Sequence, residues 1–297
     1  MPELPEVETV VRQLRAPLVG RTLTGVRVSW PATVARPSPA AFRRGALGRR
    51  VTGLSRRGKY FVIELDGDPV GGAAEGPLAE RRPDRLLVGH LRMTGRMSVE
   101  DDPEPPFTRA SFALDDGRHL VFRDVRKFGR LALVRRLDEI LPPLGPEPLG
   151  GHGFPELDAD WLAAALRSRR RQLKPLLLDQ SFLAGLGNIY VDESLHRARL
   201  HPLRSSDRVG RDGAARLATA IRQVLTEAIA KQGSSFDAFY RTPEGRPGDY
   251  QHEFRVYGRT GQPCPRCGAA IRRMVVGQRG THYCGRCQRA PRTRTPA

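Results

Sequence analysis

Two parts of this sequence could do chemistry by residue type and spacing alone. The first is a set of cysteines. Cys264, Cys267, Cys284 and Cys287 form C-x2-C-x16-C-x2-C, and they are the only cysteines among 297 residues. Two such knuckles supply two thiolates each, the ligand set of a tetrahedral Zn²⁺. With all four positions filled, one zinc ion would be structural and would keep no open position for catalysis. Disulfides are the other use of paired cysteines, and a reducing cytoplasm disfavours them. His282 lies between the knuckles but reads as a surface or core histidine.

The second part is the opening, MPELPEVETV. Proline suits the first turn of a helix, and early glutamates match the positive end of its dipole. Loss of Met1 would add another role. It would turn the Pro2 nitrogen from an amide into a secondary amine, and an amine is a nucleophile. An α-amine titrates near about 7.7–8. A helix N-terminus disfavours its protonation, so much of it would be nucleophilic at neutral pH.

Composition narrows the partner. Fifty basic residues against 32 acidic ones give a net charge of +18. Such an excess points to a large anion, of which nucleic acid is the commonest. From Phe254 to Ala297 there are ten arginines and no Asp or Glu. Most of them lie in or beside the cysteine motif, so a plain solvated tail is the weaker reading. Only Lys59, Lys127, Lys174 and Lys231 are lysine; the other 46 basic residues are arginine. A lysine kept in such a chain marks a place that needs a compact ammonium rather than a planar fork. No apolar run approaches the roughly 18 residues needed to span a membrane. The acidic start is unlike a signal peptide. A cytoplasmic protein is expected.

The elements that must position these residues fall into successive groups. A helix is expected over 5–17, with Val7, Val10, Val11, Leu14 and Leu18 at helical spacing. Strand-like runs follow at 51–65, 84–99 and 107–125, the last with Asp116-Gly117 as a hairpin turn. Residues 67–84 are rich in Gly, Pro and Ala without periodicity and read as a mobile loop. The Pro- and Gly-dense 140–156 reads as a linker. Helices are expected at 158–169, 173–180, 189–198 and 213–232, with Gly233 as a stop. Between the knuckles, IRRMVVGQRGTHY reads as two short strands, with Arg279 at the turn. That arginine suits a phosphate or a groove, and equally a solvated turn.

Taken together, MPELPEVETV, HLRMTGRM (90–97), RDVRKFG (123–129), LLLDQSFLAGLGNIYVDE (176–193) and CPRCG…GQRGTHYCGRCQ closely resemble the bacterial formamidopyrimidine-DNA glycosylase family. The resemblance runs in order from residue 1 to about 290. The sister endonuclease VIII branch shares the Pro-Glu start, but MPELPEVET and RGTHYC resemble the formamidopyrimidine branch.

This resemblance implies an α+β multidomain fold. It consists of an N-terminal β-sandwich with flanking helices (1–139), the linker (140–156), a helix–two-turns–helix domain (157–240), a lesion-binding loop (241–253) and a zinc finger (254–290). Damaged double-stranded DNA is the implied partner, bound by a monomer. The implied activity is excision of 8-oxoguanine and formamidopyrimidines through a Pro2 Schiff base, then strand cleavage by β- and δ-elimination.

Roles follow by the same resemblance. Pro2, Glu3, Lys59 and Arg279 form the catalytic set: nucleophile, general acid/base, and phosphate contacts of the sheet domain and of the finger. Glu6 helps to position the site. Met93 and Phe128 fill the space left by an everted base, and Arg126 bonds the orphaned cytosine. His90, Arg109, Lys174 and Asn188 contact backbone phosphates. Two alternatives stay open. One is an oxidised-pyrimidine glycosylase of the sister branch. The other is a non-catalytic DNA-binding protein that is indifferent to its N-terminus.

Overall fold

The computed structural model describes residues 1–66, 83–151, 154–236 and 240–291. Residues 67–82, most of the expected mobile loop, lie outside that description. The chain divides into two units, Met1–Pro142 with Lys231–Asp249, and Pro143–Ala230 with Tyr250–Ala297.

Unit 1 opens with helix α1, Leu4–Leu18. A helix this short is marginal alone. Val7, Val10, Val11, Leu14 and Leu18 are all buried, and each such side chain contributes about 1.5–3 kcal/mol. Its N-terminus is closed by the Glu6 carboxylate, which accepts from the Glu3 backbone N–H at 2.8 Å.

Strands β1 (Leu23–Val28), β2 (Val34–Arg36), β3 (Arg50–Arg57), β4 (Tyr60–Asp66) and β5 (Arg85–His90) follow, with helix α2 (Pro39–Ala46) between β2 and β3. Then come β6 (Gly95–Glu100), β7 (Thr108–Leu114), β8 (His119–Asp124) and β9 (Arg130–Val134). They form two sheets, β1-β7-β8-β6 and β2-β9-β5-β4-β3. The run 107–125 is the expected hairpin, with β7 antiparallel to β8.

One core joins both sheets and both helices, including Val10, Leu14, Phe42, Phe61, Ile63, Leu87, Phe112, Phe122 and Leu131. The opposite face of the five-stranded sheet carries a second cluster of Val62, Leu86, Val88, Ala132 and Val134. Burial on both faces explains why FVIEL and LLVG are nearly continuous apolar runs instead of alternating ones.

Unit 2 begins inside the expected linker. From Pro143 the chain is folded: the Gly145 N–H donates to the Gln180 carbonyl at 2.8 Å, Glu147 is fully buried, and β10 (Leu149–Gly151) pairs with β11 (Phe154–Glu156). Helices α3 (Ala159–Arg167), α4 (Leu173–Leu178), α5 (Asn188–Arg197) and α6 (Arg211–Ala230) follow. The last ends two residues before the expected Gln232, because Gln232 (φ 59°) and Gly233 (φ 79°) turn left-handed. Strands β12 (Ile271–Val276) and β13 (Arg279–Cys284) pair antiparallel. Their two-residue turn, Gly277-Gln278, has positive φ at both positions, the geometry that matches strand twist.

Gly89 sits opposite Phe61 in the β4–β5 register, and a Cβ there would overlap the Phe61 ring. Gly89→Ala is therefore expected to lower stability by about 1–3 kcal/mol through overpacking. Urea unfolding of the single variant, with Phe61→Leu/Gly89→Ala as the relief control, measures it.

Candidate active site and metal centre

The head of α1 is held rigidly although it lies beside the chain terminus. Met1 is 43% exposed, whereas Glu3 is 3% and Glu6 is 2% exposed; Pro2 is buried too. The Glu6 carboxylate works in two directions. One oxygen accepts from Glu3 N, and the other accepts from the Ser234 N–H at 2.8 Å. The Tyr240 hydroxyl adds a bond to the Glu6 carbonyl at 3.4 Å. Burial, then the nearby Glu6 charge, pushes the Tyr240 phenol well above its usual range, so it stays a donor.

These bonds bring the segment 231–249 against the N-terminus within unit 1. The Asp249 N–H donates to the Lys231 carbonyl at 2.9 Å, closing the base of that segment. Arg96 Nη2 reaches the Pro243 carbonyl at 3.2 Å. The sequence points to a loop here but gives none of these anchors, because Glu6 and Ser234 stand 228 residues apart.

Lys59 occupies the turn between β3 and β4 and is 7% exposed. Gly58 takes φ 57° there, which glycine adopts without strain. Arg56 fixes the turn: its Nη1 donates to the Gly58 carbonyl at 2.9 Å, and its Nε pairs with Glu8 at 3.1 Å. Burial raises the Glu8 carboxyl, but Arg12 and Arg56 outweigh it and hold it below the usual range. Helix α1 thereby positions both the Pro2–Glu3 dipeptide and the Lys59 turn.

His90 ends β5 opposite Tyr60, whose ring it meets edge-on at 4.6 Å. Beyond it, Met93 and the Arg126–Phe128 stretch converge from turns 33 residues apart. Arg126 Nη1 lies 3.3 Å from the Met93 sulfur, and its guanidinium stacks 4.8 Å from the Phe128 centroid. Phe128 is 47% exposed, so the residue expected to be a wedge stands at the surface and not in the core. Arg109 is half-buried, with its Nε bonded to the Asp124 carbonyl at 2.8 Å.

In unit 2 the expected phosphate residues separate into two kinds. Asn188, at the start of α5, donates from Nδ2 to the Gly280 carbonyl at 3.0 Å, and Arg279 beside it is exposed. Residues 91 positions apart are thus neighbours, and both remain suited to a phosphate.

Lys174 differs from expectation. Its side chain is 0% exposed and pairs with Asp192 at 2.6 Å, while its Nζ also donates to the Gly280 carbonyl at 3.0 Å. A lysine enclosed in this way braces the β12–β13 hairpin instead of facing solvent. Asp192 completes the brace by accepting from the His282 N–H at 2.8 Å. Glu193 accepts from the consecutive N–H groups of Arg255, Val256 and Tyr257 at 2.9–3.1 Å. Burial raises its carboxyl against the pull of those three donors. Both acids lie in the YVDE stretch of a helix that also carries Asn188, Ser194, His196 and Arg197, so nothing in their spacing marks them as buried.

The four cysteine sulfurs all lie within 4.8 Å of one another. Cys264–Cys287 are 3.9 Å apart and Cys267–Cys284 3.5 Å. Zn–S bonds of about 2.3 Å imply tetrahedral edges of about 3.8 Å, so the residues fit one zinc ion. Burial and the surrounding arginines, Arg266 first, push His196 down to about 4. The neutral ring has an N–H to offer Cys264 Sγ, 3.4 Å from its Nε2. His282 is not part of the cluster.

Fold and site together define a zinc-finger α+β protein whose finger is braced on a buried helix. Known families agree. A model described as formamidopyrimidine-DNA glycosylase N-terminal domain matches residues 1–131. One described as formamidopyrimidine-DNA glycosylase H2TH domain matches 144–239, and a zinc finger found in FPG and IleRS matches 261–290. The chain belongs to the formamidopyrimidine-DNA glycosylase family.

It is 45% identical to the formamidopyrimidine-DNA glycosylase of Heliobacterium modesticaldum, over 97% of this chain and 100% of that one. The crystal structure of the MutM (FPG) protein from Thermus thermophilus is similar with a TM-score of 0.81 at 43% identity, covering 97% and 98% of the two chains. A Lactococcus lactis Fpg complex with abasic-site DNA gives 0.82 at 34% identity, covering 97% and 100%.

Lys174→Met leaves Asp192 buried without its counter-charge and is expected to cost about 3–5 kcal/mol, read by urea unfolding. It should leave the slope of log K against log[salt] for DNA binding unchanged, whereas loss of a phosphate contact flattens it by about 0.9.

His90 gives a pH test. Burial, then the charges of Arg92 and Lys59, push it down to about 3, so it is neutral at pH 7 and its Nδ1 accepts from Arg92 N at 2.9 Å. In the unfolded chain it titrates near about 6.5. The unfolded state therefore takes up the proton first, and stability is full above about pH 6.5 and falls as pH drops toward 3. His90→Asn is expected to flatten that fall, read as urea midpoints between about pH 4 and 7.

Proposed function

We propose that this chain excises oxidised purines from duplex DNA through a covalent imine on Pro2 and then cuts the strand by β- and δ-elimination. As a family member it is a DNA glycosylase of base excision repair with lyase activity at abasic sites. Its structural neighbours include a Lactococcus lactis FPG mutant in complex with Fapy-dG containing DNA and Lactococcus lactis Fpg in complex with DNA containing an abasic site. The observation that carries the finer reading is the buried Pro2–Glu3 dipeptide, clamped by Glu6 at the head of α1.

With Met1 removed, the Pro2 amine attacks C1′ of the damaged nucleotide, and the base departs with the electrons of its glycosidic bond. Glu3 protonates the ring oxygen as the C1′–O4′ bond breaks and the sugar opens, and it relays the proton that the Pro2 amine gives up. The resulting iminium draws electrons from C2′. A proton leaves there, and the 3′ phosphate departs, followed by the 5′ phosphate. Lys59 holds a phosphate beside the lesion. Met93 and Phe128 occupy the gap in the stack, and Arg126 bonds the orphaned cytosine. His90, Arg109, Asn188 and Arg279 hold the backbone. Cys264, Cys267, Cys284 and Cys287 would hold a four-coordinate structural zinc that keeps the hairpin of Arg279 folded.

The test is borohydride trapping on duplexes with 8-oxoguanine opposite cytosine. A covalent complex at Pro2, and a purified mass without Met1, are expected. Glu3→Gln should lose about 10²–10⁴-fold in excision rate. A chain that keeps Met1 and still cuts lesion DNA overturns Pro2 as nucleophile. Faster excision of thymine glycol than of 8-oxoguanine would favour the sister branch.

A further inference from the structure

Met93 and Phe128 lie on two separate turns, and both turns cross between the sheets of unit 1. Residues 91–94 lead from β5 in the five-stranded sheet to β6 in the four-stranded one, and 125–129 lead from β8 back to β9. A turn at a sheet crossing has no ladder to stiffen it, yet a wedge must resist a base stack whose opening costs a few kcal/mol per step.

Asp124, the last residue of β8, is 0% exposed and ties these turns together. Its Oδ1 accepts from the Thr94 hydroxyl of the first turn and, at 3.3 Å, from the Arg126 N–H of the second. Oδ2 accepts from the Gly129 N–H at 2.6 Å, where the second turn ends. Thr94 Oγ1 in turn accepts from Arg126 N at 3.1 Å, so hydroxyl, carboxylate and amide form a closed triangle. A Cβ on Gly129 would press on Phe122 and Asp124 Oδ2, so glycine permits the close approach. The Asp124 main chain extends the tie, donating to the Phe107 carbonyl at 3.0 Å and accepting from Arg109 Nε at 2.8 Å. Bonds to an ionised acceptor are about twice as strong as neutral ones.

We infer that Asp124 and Thr94 are positioning residues that lock Met93 and the Arg126–Phe128 pair into one rigid group, so that base eversion depends on a buried carboxylate that never touches DNA. This deepens the wedge reading given above and rests on it.

Thr94→Val removes the hydroxyl and keeps the side-chain shape, Thr94→Ser restores the hydroxyl, and Asp124→Asn removes the charge. Each is assayed on two duplexes, one with 8-oxoguanine opposite cytosine and one with an abasic site opposite cytosine. An abasic site has no base to unstack, so it needs the wedge least. Thr94→Val and Asp124→Asn are expected to slow 8-oxoguanine excision about tenfold, the effect of one lost hydrogen bond to a charged group. Abasic cleavage should stay within about twofold, and Thr94→Ser should restore excision.

Wild-type excision by Thr94→Val and Asp124→Asn, in an assay where Phe128→Ala is slow, overturns the tie and spares the wedge. Wild-type excision by Phe128→Ala and Met93→Ala overturns the wedge and the tie with it. Equal loss on both duplexes, or no recovery with Thr94→Ser, also overturns the inference.

Discussion

A chain terminus is the least constrained part of a protein, whereas the role proposed for Pro2 requires it to be held firmly. The two oxygens of Glu6 resolve this conflict. One closes the first turn of α1 on Glu3, and the other takes the amide of Ser234. A single carboxylate, 2% exposed, thereby fixes the Pro2–Glu3 dipeptide to its own helix and to a segment from the far end of the chain. Everything asked of Pro2 presupposes that this clamp holds.

The same device recurs. Asp124 gathers N–H and O–H donors from two turns, Asp192 takes Lys174 and the His282 amide, and Glu193 takes three successive amides. In each case a buried acid accepts from backbone donors of another segment: turns for Asp124, the stretch 255–257 for Glu193, and strand β13 for Asp192. A charged acceptor can hold several such donors at once. The arrangement also explains how a chain of net charge +18 uses its few acids. Several lie inside as organisers, while most arginines, Arg56 and Arg57 excepted, are at least partly exposed.

Lysine use follows a related logic. Lys59 is 7% and Lys174 0% exposed, and Lys127 lies 4.1 Å from the centroid of Trp30. A compact ammonium fits a closed pocket, where a planar fork would need more room. Of the four lysines, Lys59 and Lys174 are thus enclosed and Lys127 faces a ring, while Lys231 is exposed. Their scarcity in the sequence did not say which were structural: Lys174 shares the sequence signal of Lys59 but is enclosed by Asp192 and Gly280.

Much of this was legible in the sequence. The cysteine spacing pointed to the metal site, the helical period to α1 and α6, and Asp116-Gly117 to a hairpin, because each depends on residues close along the chain; the second hairpin was expected with Arg279 at its turn, whereas the turn is Gly277-Gln278 and Arg279 opens β13. The motifs around Met93, Arg126 and Phe128 named a candidate wedge. Only the tertiary structure decided what holds these parts. Glu6 with Ser234 and Asn188 with Gly280 are contacts across 228 and 92 positions. It also showed that the Pro- and Gly-rich linker is folded from Pro143 onward and that Lys174 is buried. Periodicity reports which face of an element is apolar. It carries no information about which distant backbone amide an acid will reach, since that depends on how the elements pack.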